Sequence, residues 1–236
     1  TAHSQLGIRT FGQQEANIIE LITPITKYAA MVTDASRIRY HLEKAKYAAT
    51  SGKKGPVWID IPLDIQNKQI EPDALGGFFQ QKTKPKKIRS LAIKSVIEKL
   101  SACNRPAFLI GSGVSKSGAE KTLRTFSEKF NIPVVYTNSA VDTVPYSHQN
   151  CVGSIGSQGC MRSGAFTIQN ADLIIILGSR LGTLITGPDF QKFGRDAYKI
   201  IVDIDPIEHS KDSIPFELLI EADVKDFLER INDNYK

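Results

Sequence analysis

Small polar residues follow directly after an apolar run in the middle of the chain. Pro106–Ile110 has the residue types of a strand, and Gly111-Ser112-Gly113 comes next, before a helical pattern over Ser117–Phe130. Glycine lets a backbone approach a ligand closely, and the amide groups at the start of a helix favour phosphate. The spacing therefore predicts a strand-to-helix turn suited to an anionic ligand.

Three further polar clusters follow other predicted strands. They are Thr137-Asn138, Gly178-Ser179-Arg180, and Asp203 with Asp205. Ligands of parallel α/β sheets bind at the carboxyl ends of the strands. Arg180 can pair with a phosphate in a bidentate manner, and Asp203 or Asp205 can accept a hydrogen bond from a ribose hydroxyl. Together the four clusters predict a crevice shaped for a dinucleotide.

Each cluster also has an interpretation without a ligand. The glycine turn is not G-x-G-x-x-G, and the next strand ends on Thr137-Asn138 rather than on Asp or Glu, so the NAD fingerprint is absent. Gly111-Ser112-Gly113 is then a tight turn, Arg180 forms an ion pair within the edge, and the two aspartates cap the helix after Pro206. Both interpretations stay open at this point.

The elements that must position these clusters alternate between helix and strand. The predicted helices are Leu91–Ser101, Ser117–Phe130, Met161–Gln169 and Val224–Ile231. The predicted strands are Pro106–Ile110, Pro133–Tyr136, Leu173–Leu177, Lys199–Ile204 and Leu218–Ile220. Such alternation predicts an α/β fold with a doubly wound, mostly parallel, Rossmann-like sheet over residues 89–236.

The first part of the chain, residues 1–66, has the pattern of a partial α/β segment. A helix over Gln14–Ile22 and an extended stretch over Ile25–Val32 are predicted, and Asp34 or Ser36 can cap a second helix. The apolar face of that helix consists of Ile38, Leu42, Ala45 and Ala49. Gly52 follows where a left-handed C-cap is favoured.

Val57–Ile61 is a mainly apolar run between two prolines, which predicts a buried strand of a parallel sheet. One helix and one or two strands cannot enclose a core. We therefore expect the sheet partners of this strand, and the rest of a longer polypeptide, to lie outside this sequence. Residues 67–88 are polar, Lys-rich and aperiodic, which predicts a linker between two domains.

The composition argues against several classes of protein. The net charge is +5, but basic residues cluster between Lys82 and Arg89 without interleaved aromatic residues, which favours a solvated linker over a nucleic-acid interface. No apolar run approaches the roughly 20 residues of a membrane helix, and the start has no signal-peptide pattern. The three cysteines show no C-x-x-C spacing and the four histidines are scattered. We therefore expect no metal site in this chain and a cytoplasmic location.

Two long segments carry a family resemblance. Ile25 to Gln66, which ends in GPVWIDIPLDIQ, resembles the end of the pyrimidine-binding domain of thiamine-diphosphate (ThDP) enzymes of the acetolactate synthase type. The middle domain of these enzymes resembles VGSIGSQGCMRSGAFTIQNADLIIILGSRL, from Val152 to Leu181, together with KIIVDID from Lys199. ThDP enzymes of surface-polysaccharide and nucleotide-sugar pathways resemble the chain about as well.

The resemblance implies a carboligase or lyase that acts on 2-keto acids such as pyruvate, with ThDP and Mg²⁺ as cofactors. It implies that Gln14 lines the substrate side of the thiazolium and that Lys27 lies near the substrate entrance. The chain departs from acetolactate synthases at Gln13, where they carry Phe. If they have no role beside the substrate, Gln14 is a polar residue at a helix end and Lys27 is a surface lysine.

FAD is a candidate ligand of the middle domain, because acetolactate synthases hold it there. After Arg180, however, Leu181-Gly182-Thr183 replaces the Phe-Asp-Asp-Arg run of flavin-binding members. The resemblance further implies a homo-oligomer, dimer or tetramer. It places the catalytic Glu before Thr1 and the Gly-Asp-Gly motif of the diphosphate site in another domain, so we expect this chain alone to be inactive. The alternative function is a non-catalytic module that binds FAD or another nucleotide.

Overall fold

The computed structural model describes residues 16–80 and 88–235. The chain divides into two compact units, residues 1–84 and 85–236. This division falls inside the range that the sequence predicts as a linker. Each unit is described by itself below.

The described part of the first unit contains a small parallel sheet and three helices. Its strands are β1, Tyr28–Met31, and β2, Val57–Asp60. Its helices are α1, Ile18–Ile22, α2, Ile38–Thr50, and α3, Leu63–Gln66, and 3-10 turns cover Thr23–Ile25, Ala35–Arg37 and Pro72–Ala74. The strands pair in parallel, with Tyr28 opposite Val57 and Met31 opposite Asp60. The helix after Asp34 and the two extended stretches are thus confirmed.

The ends of α2 follow from two residues that the sequence singles out. The Asp34 carboxylate accepts a hydrogen bond from the Ser36 backbone N–H at 2.9 Å and so caps the 3-10 turn that leads into the helix. Gly52, with φ +55°, takes the left-handed conformation after the last turn. On the predicted apolar face, Ala45 is buried, but Leu42 is 51% exposed. The apolar face is thus covered only in part, because a two-stranded sheet does not cover the whole width of the helix.

The strand predicted at Val57–Ile61 is present as β2, and the partners expected to bury it were placed outside this sequence. Within the described residues Trp58 is 45% exposed and the other residues of β2 are half-buried. Within residues 16–80 the sheet has two strands. The side of β2 that carries Trp58 is therefore only partly covered in the described structure.

Part of the predicted linker packs on the first unit. The Phe78 ring lies 5.8 Å from that of Tyr40 and 5.6 Å from that of Tyr47, both on α2. The Phe78 backbone N–H donates to the Glu43 carboxylate at 2.7 Å. Residues 67–80 are therefore held against α2 rather than extended away from it.

The second unit is a doubly wound α/β domain, as predicted. Its strands are β3, Pro106–Ile110, β4, Val134–Tyr136, β5, Cys151–Ser154, β6, Leu173–Leu177, β7, Tyr198–Asp203, and β8, Leu218–Glu221. Its helices are α4, Ser90–Ala102, α5, Gly113–Ser117, α6, Glu120–Phe130, α7, Arg162–Asn170, α8, Thr183–Thr186, and α9, Val224–Asn234. Short 3-10 turns cover Asn138–Ala140, Phe190–Lys192 and Pro206–His209.

The six strands described in residues 88–235 pair in parallel in the order β5-β4-β3-β6-β7-β8. Side chains alternate between the two faces of the sheet, since successive residues of a strand point to opposite sides. Phe108 and Ile110 join one buried cluster, which includes residues of α4, α6 and α9, whereas Ala107 and Leu109 join another, which includes α7. Helices thus cover both faces.

Two local predictions in this unit were wrong. The helix predicted over Ser117–Phe130 is interrupted by Gly118, which has φ +70° and ends α5 before α6 begins at Glu120. Strand β5 is not among the predicted strands, because it is short and contains a glycine, Gly153. In the structure Gly153 has φ +117° and lies beside a register shift in β4. In the described part of the chain, no helix is long and apolar enough to cross a membrane.

Candidate functional site

The sheet of the second unit changes winding direction between β3 and β6. The chain runs outward from β3 to β4 and β5, and then returns to the other side of β3 to form β6, β7 and β8. Doubly wound sheets bind ligands at such a switch point, outside the carboxyl ends of the strands. The four predicted polar clusters all lie at this end of the parallel sheet, because each directly follows a strand.

The turn after β3 and the turn after β6 are in direct backbone contact. A Cβ atom on Gly113 would lie 2.5 Å from Gly178 Cα, and one on Gly111 would lie 2.4 Å from the Gly178 carbonyl oxygen. The Gly113 N–H donates to the Gly178 carbonyl at 3.0 Å, and the Gly111 N–H donates to the Leu177 carbonyl at 2.9 Å. Ser112 is half-buried beside them. The glycines are therefore needed for the close approach of two protein backbones.

The end of the β6 turn is buried on one side and exposed on the other. Ser179 is buried, while the Arg180 side chain is 79% exposed and places its Nε 3.6 Å from a Glu208 carboxylate oxygen. The Arg180 carbonyl accepts a hydrogen bond from Lys211 Nζ at 2.5 Å. Leu181 then adopts φ +51°, an uncommon conformation for a branched side chain. Arg180 thus lies near an acidic partner from the segment after β7.

Asp203 and Asp205 lie in a turn held by their own carboxylates. Asp203 Oδ1 accepts from the Asp205 N–H at 3.0 Å, and Asp203 Oδ2 lies 3.2 Å from Nε2 of the buried His209. Asp205 Oδ1 accepts from the Ile207 N–H at 3.1 Å and caps the 3-10 turn that begins at Pro206. His209 is not predictable as a partner of Asp203 from the sequence, since no periodic pattern links it to a residue six positions earlier.

The cluster after β4 contacts the loop after β5. Thr137 is buried and its N–H donates to the Ile110 carbonyl at 3.0 Å, while Asn138 is exposed and donates from Nδ2 to the Gln158 carbonyl at 2.9 Å. The loop that contains Gln158 was not predicted to take part in the site, although its Gly156 and Gly159, with φ +140° and +67°, are visible in the sequence. At the end of β4, burial raises the pKa of the Tyr136 phenol above its usual range.

The structure therefore joins the clusters in two groups. The turn after β3 contacts the turn after β6, and the turn after β6 contacts the segment after β7 through Arg180 and Lys211. Thr137 and Asn138 belong to the other side, with the loop after β5. Ligand binding by these groups remains a prediction.

The two candidate substrate residues belong to the first unit. Gln14 lies outside the described residues. Lys27 precedes β1, and its Nζ donates to the Ser51 carbonyl at 2.6 Å after its methylene chain has passed over Gly55. The Lys27 N–H donates to the Pro56 carbonyl at 2.8 Å. Lys27 thus connects the start of β1 to the loop between α2 and β2.

A second polar group of the first unit was not predicted. The Tyr28 hydroxyl lies 2.7 Å from His41 Nδ1, and Lys44 Nζ lies 4.7 Å from the centre of the Tyr28 ring. Burial, and then the positive charges of Arg37 and Lys44, lower the pKa of His41 below its usual value. The imidazole is therefore neutral at neutral pH and able to accept a hydrogen bond from Tyr28.

In residues 16–80 and 88–235, no three His, Cys, Asp or Glu side chains are grouped so that they could hold a metal ion. The three cysteines of the chain, all of which the structure describes, form no disulfide.

The fold and the switch point define a doubly wound α/β domain, and comparison with known proteins identifies its family. Residues 93–231 match the family described as thiamine pyrophosphate enzyme, central domain. The chain belongs to this family. The resemblance to acetolactate synthase-like ThDP enzymes is thereby confirmed.

Individual relatives agree with this assignment. The chain is 35% identical over 228 residues to the acetolactate synthase large subunit of Corynebacterium glutamicum, covering 94% of this chain and 35% of that protein. It is 32% identical to the acetolactate synthase isozyme 1 large subunit of Escherichia coli K12, covering 97% and 39%. The chain thus spans little more than a third of these relatives.

A solved structure supports the fold. The crystal structure of benzoylformate decarboxylase from Polynucleobacter necessarius superimposes with a TM-score of 0.72 at 22% identity, covering 94% of this chain and 41% of that one. At this identity the likeness concerns the fold. The comparisons give no support to FAD as a ligand of the central domain.

Proposed function

We propose that the protein to which this chain belongs is a ThDP-dependent carboligase or lyase that acts on small 2-keto acids such as pyruvate. The observation that carries the proposal is the match of residues 93–231 to the central domain of thiamine pyrophosphate enzymes, with 35% identity to an acetolactate synthase over 94% of the chain. When bound, ThDP supplies an electron sink for the carbanion that forms beside the keto group.

The described residues of this chain do not fit the diphosphate and Mg²⁺ end of that cofactor. They contain no group of carboxylates or histidines suited to a metal, and the sequence has no Gly-Asp-Gly. We therefore assign no step of the reaction to these residues and propose that the polypeptide of 236 residues does not turn over by itself. Its second unit contributes the central domain.

For the first unit we propose a partial role beside the substrate. Gln14 and Lys27 are the candidates, because their surroundings in the sequence match the family. The hydrogen bond from Lys27 Nζ to the Ser51 carbonyl supports a competing role in the local structure. The two roles differ in their consequence, since a substrate contact affects KM and a structural contact affects stability.

We further propose a homo-oligomer, Mg²⁺ as the companion ion and a cytoplasmic location. The half-covered faces of the β1–β2 sheet, with Trp58 45% exposed, are consistent with burial against further polypeptide. The absence of disulfides among the three cysteines is consistent with a reducing compartment.

The test compares this chain with the product of the reading frame extended in both directions. Each is incubated with ThDP, Mg²⁺ and pyruvate, and CO₂ release and carboligation products are measured. We expect turnover by the extended protein and none by this chain. Turnover by this chain, or an extended protein that acts on no 2-keto acid, would contradict the proposal.

Lys27→Met in the extended protein tests the proposed substrate contact. We expect a several-fold higher KM for the keto acid, because the positive charge is lost from the substrate entrance. Lys46→Met is the matched control, since Lys46 is an exposed lysine of α2. An unchanged KM together with a lower unfolding midpoint would instead assign Lys27 to the structure of the first unit.

The alternative, a non-catalytic module that binds FAD or another nucleotide, is not favoured by the family match. It predicts saturable FAD binding without any keto-acid chemistry.

A further inference from the structure

We infer that the second unit closes the switch point of its sheet with its own backbone and side-chain contacts, and that it does not bind FAD or another dinucleotide there. This goes beyond the proposed function, because it concerns the central domain without reference to ThDP or to the keto acid. Four observations carry it.

The first observation is the contact between the turns that would flank the ligand. A dinucleotide of a doubly wound sheet lies across the crevice at the switch point, between the loops that follow the two central strands. Here those loops follow β3 and β6, and a Cβ on Gly113 would lie 2.5 Å from Gly178 Cα. Backbones that leave no room for a single methyl group, and that are joined by a hydrogen bond from the Gly113 N–H to the Gly178 carbonyl, leave no space for a pyrophosphate between them.

The second observation concerns the amide groups that would face a phosphate. The Gly111 and Gly113 N–H groups donate to the carbonyls of Leu177 and Gly178, at 2.9 and 3.0 Å. The helix that follows, α5, is only 5 residues long. A helix this short provides little of the dipole that attracts an anion to a longer one. Two of the donors expected to form a phosphate cradle thus already have protein partners.

The third observation is that Asp203 is occupied on both oxygens. Asp203 Oδ1 accepts the Asp205 N–H, and Oδ2 lies 3.2 Å from His209 Nε2. The side chain of His209 is only 2% exposed. The Asp203 side chain is only 13% exposed, so a ribose hydroxyl would have little access to the remaining lone pairs of its carboxylate. Displacing His209 instead would leave a buried polar group without a hydrogen bond, which is costly.

The fourth observation concerns charge. Arg180, an exposed cation of this edge, lies 3.6 Å from the Glu208 carboxylate. A phosphate at Arg180 would approach that carboxylate as well. The net attraction of this edge for an anion is therefore reduced.

The experiment titrates the full chain with FAD and with ADP, followed by flavin fluorescence for FAD and by calorimetry for both. We expect no saturable binding up to about 1 mM, the range of the weakest specific affinities. The unfolding temperature should also stay constant with either ligand. Saturable 1:1 binding of FAD or ADP, or flavin that co-purifies with the chain, would overturn the inference. The titration contains no ThDP, Mg²⁺ or keto acid, so it is independent of the turnover assay.

Two variants of His209 test whether the internal contacts hold the edge. His209→Leu removes the donor to Asp203 at similar volume, whereas His209→Gln keeps an N–H near the position of Nε2. We expect His209→Leu to lower the unfolding temperature by roughly 3–8 °C and His209→Gln by less than half of that, because only the former removes the N–H that faces Asp203 Oδ2. Equal stability of His209→Leu and the unchanged chain would contradict the inference, whatever the titration shows.

Discussion

The two units of this chain contain parallel strands that differ in how they are covered. In the second unit, all five residues of β6 are buried, because β3 and β7 flank the strand and helices cover both faces. In the first unit, β2 has β1 as its partner in the described residues, and Trp58 remains 45% exposed. Strands with similar apolar sequences thus have different environments.

An apolar strand sequence indicates that the strand is suited to a buried position. It does not indicate how many of the strands and helices that would bury it are present in a given polypeptide. The second unit has the helices and strands needed to enclose its sheet. The first unit buries its apolar residues only in part, so its stability depends less on a packed core.

The largest effect is expected from a cavity in the second unit. Ile175→Ala removes a fully buried side chain of β6, and we expect a loss of about 2–5 kcal/mol in the free energy of unfolding. Urea denaturation followed by far-ultraviolet circular dichroism measures it. Leu63→Ala is the counterpart in the first unit, where the side chain is exposed, and we expect a loss below about 1 kcal/mol. Trp58, the single tryptophan, reports the unfolding of that unit.

The contrast between the two units would be contradicted if Leu63→Ala lowered the free energy of unfolding as much as Ile175→Ala. Such a result would mean that the first unit has a packed core of its own, contrary to the exposure of Trp58 and Leu42.

A somewhat smaller effect is expected at the contact between the turns after β3 and β6. Gly113→Ala places a methyl group against Gly178 Cα, and backbone atoms cannot move aside as a flexible side chain does. We expect a loss of about 1–3 kcal/mol, measured by urea denaturation. Gly182→Ala is the control, because a Cβ there meets no atom within 4 Å. Equal stability of the two variants would exclude the close contact that the structure describes.

A gain in stability is expected from Lys199→Met. Lys199 is buried in β7, its Nζ donates to the Ala197 carbonyl, and burial lowers the pKa of its ammonium group although Glu217 and Asp196 oppose this. Burying the charged form is unfavourable at neutral pH, so methionine should stabilise the second unit by about 1 kcal/mol at pH 7.

The stability difference between Lys199→Met and the unchanged chain should depend on pH. Because the pKa is lowered in the folded state, the penalty is fully present below the folded pKa and disappears as the pH rises through it toward the unfolded value of 10.5. The advantage of Lys199→Met should therefore shrink between pH 7 and pH 10, measured by urea denaturation at both values. Lys121→Met, at an exposed lysine of α6, should show no such change. An advantage of Lys199→Met that is constant with pH would refute the assignment.

The smallest effect is expected at His41 in the first unit. Burial and the charges of Arg37 and Lys44 lower the pKa of His41, so the neutral ring that accepts the Tyr28 hydroxyl is favoured in the folded state. The stabilisation is present above the unfolded pKa and is lost as the pH falls through the folded one. A histidine NMR titration should show His41 with a pKa below the usual 6.5. A value above 6.5 would mean that the ring is not held in this environment.

Much of the second unit could be predicted because its signals are local. The apolar runs of β3 and β6 and the helical period of α9 are contained in a few consecutive residues, and the predicted strand bounds of β3 and β6 agree with the structure. Strand β5 was not predicted, because it lacks such a local signal. Its four residues include a glycine, and only pairing with β4 makes them a strand.

The candidate site was less accessible to prediction, because its contacts join distant parts of the chain. The sequence indicated which turns follow strands, and these turns do lie at one end of the sheet. It did not indicate that Gly113 meets Gly178, 65 positions away, or that Asp203 has His209 as a partner. Neither contact produces a periodic pattern.

The α/β alternation, the polarity of the turns and the family can be established from the amino-acid sequence, since they depend on local residue types and on long ordered segments of similarity. The use that the fold makes of the turns follows from tertiary contacts. Hydrogen-bonding groups of Gly111, Gly113 and Asp203 are directed at other parts of the protein. The physical reason is that a polar group at a sheet edge must find a partner, and its identity depends on which loops the fold brings together.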